Sequence, residues 1–151
     1  METTSVTVEN LNDLVQILND RIVGYEKALK DLKEDDTSLR SLFTDLVDQS
    51  HQFKMELGTE VQALGGDIET DTTFSGKIFR TWMSVKDAFG TTNKSVLENC
   101  EFGEDAALKA YKTVLEDESL PAYLREIITR QQGELQGAHD QVKAARDSAV
   151  E

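Results

Sequence analysis

The sequence predicts an all-α fold, a bundle of two helical hairpins joined by a long crossover that carries a short helix of its own. Three observations predict it. Apolar residues recur at the helical period along four long segments. The chain has one proline, Pro121, and few β-branched runs. The polar breaks between segments are short in two places and long in one. At 151 residues the chain is long enough for one packed core and too short for two ordinary ones, so residues 1–151 are expected to form one domain.

The first long segment covers about residues 10–32, with Leu11, Val15, Leu18, Ile22, Tyr25 and Leu29 on one face. "KEDDTS" breaks it, and Asp36 or Thr37 is placed to cap the next helix. The second segment covers about 38–64 and aligns Leu39, Phe43, Leu46, Ser50, Phe53, Leu57, Val61 and Leu64. "GGDIETDTT" ends it and opens a crossover over 65–94, whose short helix at about 74–89 puts Phe74, Ile78, Trp82, Val85 and Phe89 on one stripe. That stripe reads as core packing, since aromatic stripes normally bury. The third segment starts near Ser95, where "SVLE" offers a capping box with Glu98, and runs to about Leu115. After "EDESLP", the fourth runs from about Pro121 to Ala149, with the proline in the first turn where its missing N–H does no harm. Hairpins over about 10–64 and 95–149 with one long connection between them describe a ferritin-like bundle. A simple up-down-up-down bundle would not need so long a connection.

With 29 acids against 16 bases and a net charge of -13, the composition argues against nucleic acid or an anionic membrane as partner. No apolar run approaches the roughly 18 residues of a membrane span. "METTSVTVEN" lacks the basic and apolar regions of a secretion signal. Cys100 is the only cysteine, so no disulfide forms within the chain, and a cytoplasmic location is expected. Cys100 falls on the apolar face of the third segment and reads as a small hydrophobe.

The blocks "LNDLVQILND", "MELGTEVQALGG", "GKIFRTWMSVKDAF", "LENCEFGEDAALKAY" and "AHDQVKAARD" together resemble a bacterial four-helix-bundle family of unknown function in the ferritin-like superfamily. The resemblance spans roughly residues 9–147 and implies a fold. It implies no reaction, so function has to come from the site.

Di-iron proteins of ferritin type take one Glu from each of two helices and Glu-x-x-His from each of the other two. Here the first segment offers Glu26, the second "DQSH" (48–51), the third Glu101 and Glu104, and the fourth "QGAH" (136–139). At about 100° per residue, Asp48 points roughly opposite the apolar face of its segment and His51 about 120° from it. Glu26 and His139 fall about 70° from their face centres, at the rim, whereas Glu104 lies within about 30° of the middle of its own. One inward carboxylate does not hold two irons. A buried carboxylate must be paired, hydrogen-bonded or neutralised, and His139, Arg21, Gln131, Tyr25 and Tyr111 stand as candidate partners, with a Glu104–Gln131 contact expected to set helix register.

The sequence therefore favours a non-catalytic bundle acting through self-association, such as a homodimer, or through a protein partner. The alternative is a ferritin-like protein binding iron or manganese at a degenerate site of Glu104, Glu101, Glu26 and His139. Gly133 and Gly137, and Gly58 on the second segment, point away from the core by the same angular count. They mark a smooth patch on the fourth segment where the crossover or a second copy of the chain would pack.

Overall fold

The computed structural model describes residues 2–32, 36–70 and 92–149. Among them lie four long helices, α1 (Glu2–Asp31), α2 (Thr37–Ala63), α3 (Asn93–Leu115) and α4 (Ala122–Ser148). The short helix expected at 74–89 lies outside the described residues. The first helix starts eight residues before the expected 10, because Thr7 is buried and Val8 packs on the core, which carries the apolar stripe of Leu11, Leu14 and Leu18 back another turn.

The helix ends are set by local chemistry. The Asp36 side chain caps α2 by accepting from the Leu39 N–H at 3.1 Å. Its other oxygen accepts from Asn93 Nδ2 at 2.9 Å, which ties the start of α2 to the start of α3. The capping box of α3 is one turn earlier than "SVLE" suggests. Thr92 Oγ1 accepts from the Ser95 N–H and Ser95 Oγ accepts from the Thr92 N–H, both at 3.0 Å. At the far end of α2, Gly65 N–H donates to the Gln62 carbonyl and Gly66 N–H to the Val61 carbonyl, each at 2.9 Å. This is a Schellman closure. It needs the left-handed φ of +83° at Gly65, and a Cβ on Gly66 would lie 2.7 Å from Val8 Cγ1. The chain beyond is then pinned to α1, where Asn12 accepts from the Glu69 N–H at 3.0 Å and donates to the Asp67 carbonyl at 2.9 Å. Gly58 does not face outward as the angular count suggests. It is buried, with Ile68 packed over it.

Contacts between the helices give their directions. Asn10, near the start of α1, donates to Asp117, just past the end of α3, at 2.8 Å, so these two run antiparallel. Asp36 and Asn93 place the starts of α2 and α3 at the same end, so the chain leaves α2 at one end and enters α3 at the other. Twenty-seven residues of α2 amount to about 40 Å of helix, which is why the crossover must be long. Inside, the apolar side chains form two clusters. One contains Leu11, Leu18, Phe53, Leu57, Ala107 and Leu135. The other contains Tyr25, Phe43, Leu46, Leu97, Cys100 and Ala138. Going along α1, α2 and α3 from one cluster to the other, the chain passes Arg21, Ser50 and Glu104.

The glycine geometry predicts opposite signs for one substitution. Gly65→Ala forces a Cβ into left-handed backbone and costs about 1 kcal/mol, whereas Gly133→Ala, with open space around an added Cβ inside α4, gains about 1 kcal/mol. Denaturant melts of the two variants check this, and shifts of the same sign would contradict it.

Candidate functional site

Arg21 is the largest fully buried side chain among the described residues. Isolated, a guanidinium there would be very costly. It is met by Glu104, also fully buried, in a two-pronged pair: Nε donates to Oε1 at 2.7 Å and Nη2 to Oε2 at 2.8 Å. Fork-to-carboxylate geometry of this kind is the strongest arrangement available to the two groups. Tyr25, one turn along α1, donates its hydroxyl to Glu104 Oε2 at 2.7 Å, and its ring lies 5.5 Å from the guanidinium carbon. The third donor group of Arg21, Nη1, reaches Ser50 Oγ on α2 at 2.8 Å, and Ser50 passes its own proton to the Leu46 carbonyl at 2.8 Å. Three helices thus meet in one closed hydrogen-bonded layer between the two apolar clusters.

Burial alone would lower the Arg21 pKa, but the charge and hydrogen bonds of Glu104 outweigh it, and the guanidinium holds its proton more firmly than usual. Burial pushes the Tyr25 phenol well up, and the Glu104 carboxylate adds to that push. Burial likewise raises Tyr111, against the pull of Arg21.

Gln131 does not meet Glu104. It lies opposite Tyr111, seven residues further along α3 and so about 10 Å away along the helix axis. Tyr111 donates to Gln131 Oε1 at 2.7 Å, and Gln131 Nε2 donates to Glu56 Oε1 at 3.2 Å and to the Phe53 carbonyl at 3.4 Å. Arg130 pairs with the same Glu56. This second polar layer joins α2, α3 and α4. The expected Glu104–Gln131 contact is not formed, and the two residues lie in separate layers with different partners.

The other residues singled out by the sequence are dispersed. Glu26, Asp48 and His51 are exposed. Glu101 and His139 come together on the seam between α3 and α4, where His139 Nε2 stands 3.8 Å from Glu101 Oε2. Asp105, which the sequence did not mark, joins them at 2.8 Å from the same nitrogen. One helical turn separates Glu101 from Asp105, a spacing that puts two side chains on one face and was the available signal. On the other side of the ring, Nδ1 faces Asp140 Oδ1 at 3.3 Å, and Arg146 pairs with Glu101 Oε1.

Residues 6–117 match the family described as Domain of unknown function (DUF2383). The chain belongs to that family. A comparison with curated proteins matched none. Among solved structures, this DUF2383 chain is similar to a Dps1 point mutant of Mycobacterium smegmatis, with a TM-score of 0.84 and 16% identity over 96% of this chain and 97% of that one. At that identity the likeness speaks for the fold, and the DUF2383 chain is an all-α, ferritin-like four-helix bundle.

Alkaline titration tests the polar layers. Both buried phenols have raised pKa values, so they stay protonated in the folded chain while unfolded tyrosine ionises from about pH 10. Their contribution to stability is complete below that pH and is lost as the pH climbs toward the folded values. Tyrosinate absorbance and helical circular dichroism followed together should show Tyr25 and Tyr111 ionising only as helix is lost. Ionisation of all three tyrosines in an intact helical fold would contradict this.

Proposed function

We propose that the chain is a non-catalytic helical-bundle protein that acts by association, with copies of itself or with another protein. One observation carries the reading. The centre of the bundle, where proteins of this architecture build metal sites from carboxylates on facing helices, is occupied by the Arg21 guanidinium, whose fork takes both oxygens of Glu104. An iron or manganese centre there would need Glu104 to release Arg21 and leave a buried cation unpaired, at a cost of about 3–5 kcal/mol. Glu26, an expected co-ligand, is exposed on α1, which further weakens that alternative.

Support for association comes from the outer face of α3. Phe102, Ala106 and Ala110 follow one another at four-residue steps along a groove of about 670 Å³, which the buried Val114 also lines and whose α1 wall includes Asn10 and Asp13. Phe102 is 42% exposed. A row of this spacing offers an apolar stripe to a partner helix. None of the described helices is long and apolar enough to cross a membrane. The single cysteine and the acidic balance are in keeping with a cytoplasmic protein whose partners are proteins.

Light scattering across a concentration series tests the reading. The expected mass is a multiple of the monomer, falling to the monomer in Phe102→Glu with helical content unchanged. Gly133→Leu/Gly137→Leu examines the exposed face of α4 in the same assay, and a mass change there would move the interface to that face. A wild-type chain that stays monomeric throughout would remove self-association and leave a different protein as the partner.

A further inference from the structure

We propose that Glu101 and Asp105 of α3 and His139 of α4 bind one divalent transition-metal ion on the seam between the two helices, away from the bundle centre. The site does not rest on the association reading, since it lies in one chain and uses none of the groove's apolar residues, although Asp105 also lines that groove.

Each of the three residues offers one ligand atom, and these atoms all lie within 4.8 Å of one another. His139 Nε2 is 2.8 Å from Asp105 Oδ1 and 3.8 Å from Glu101 Oε2. An ion bound at about 2.0–2.2 Å from nitrogen and carboxylate donors spaces its ligands about 3–3.5 Å apart, so the separations present bracket those required. Small torsional adjustments of the three side chains, of which only that of Asp105 is exposed, close the difference. The backbone spacing already holds the two acids one turn apart on a single face.

The histidine supplies the second argument. A neutral imidazole carries one N–H, yet both ring nitrogens of His139 face carboxylate oxygens. With the hydrogen on Nδ1 directed at Asp140, the Nε2 lone pair points at two further carboxylates, an arrangement that a cation between them completes. Carboxylate behind, histidine between and metal in front is the arrangement that orients metal-binding histidines generally. Arg146 performs the matching task for Glu101. It takes Oε1 and leaves Oε2 turned toward His139. Four carboxylates gather here: Glu101 and Asp147 pair with Arg146, Asp105 and Asp140 face His139, and Lys143 acts on Asp140 and Asp147 from nearby. The local charge therefore favours a further cation.

Access and ligand type define the ion. The Asp105 side chain is 63% exposed while those of His139 and Glu101 are 14% and 15%. An ion enters from solvent and keeps water on its remaining positions. One imidazole with two carboxylates suits Zn(II), Mn(II) or Fe(II) better than Mg(II), which prefers an all-oxygen octahedron.

Calorimetric titration of the full, chelator-treated chain with Zn(II) tests the proposal. One equivalent should bind, and His139→Ala and Asp105→Ala should each weaken binding tenfold or more. Asp140→Asn should weaken it by about tenfold although it is no ligand, the loss typical of a supporting carboxylate. His51→Ala, on the exposed face of α2, should bind as the wild type does. Zn(II) should also raise the melting temperature of the wild type and leave that of His139→Ala unmoved. The proposal falls if no equivalent binds above the background of the His139→Ala chain, if that variant binds as tightly as the wild type, or if Mg(II) binds as tightly as Zn(II). The cluster would then be a surface ion-pair network.

Discussion

Arg21 enters the bundle interior only because Glu104 meets its fork with both oxygens, and most of what distinguishes this core follows from that pairing. A guanidinium and a carboxylate taken out of water each lose several kcal/mol of solvation, and their attraction offsets the loss only in good geometry with the remaining donors satisfied. Here the geometry is two-pronged, Tyr25 adds a donor to the carboxylate, and Ser50 takes another N–H of the arginine. A shift of α3 by one turn along α1 would move Glu104 about 5.4 Å and leave two opposite charges apart in an apolar interior. Apolar residues alone tolerate such a slip far better, because hydrophobic contact has little directionality. The pair therefore sets the register of α1 against α3, and through Ser50 it includes α2.

The second layer does the same for the remaining helix. Gln131 of α4 is held by Tyr111 of α3 and reaches the backbone and Glu56 of α2. The two layers share α2 and α3, so together they fix all four helices in one register. Between and around them the apolar clusters supply the bulk of the driving force, and the polar layers decide which of several packings that force produces. At the position where carboxylate-rich bundles build metal sites, this core holds the Arg21 guanidinium paired with Glu104. A cation is already present, covalently attached to α1.

Much of this was legible from residue spacing. The helical period located all four long helices to within two residues at nearly every end, and the angular count singled out Glu104 as interior and Asp48 and His51 as outward. The errors have specific causes. Arg21 stands in the sequence only as one candidate partner of Glu104, because a charged residue carries no apolar signal even at helical spacing from the buried Leu14, Leu18, Tyr25, Ala28 and Leu32. The start of α1 was hidden by Thr and Glu residues that carry no apolar signal, although Thr7 is buried. "SVLE" fits the capping-box pattern as well as the true Thr92–Ser95 pair does, and only backbone geometry separates them. Gly58 is buried because Ile68, from beyond the end of α2, folds over it, a contact that spacing within α2 does not contain. Asp105 went unmarked since an exposed acid on an acidic protein looks like ordinary solvated surface, and its proximity to His139 depends on a contact between helices that spacing within one helix does not contain.

A double-mutant cycle on the central pair tests the account most directly, with stability measured for Arg21→Met, Glu104→Leu and the combination. Each single change leaves a buried charge without its partner and should cost about 3–5 kcal/mol, while the combination removes both charges and should cost no more than either alone. Losses that simply add would mean that the two side chains act independently, and the ion pair would not be what organises this core.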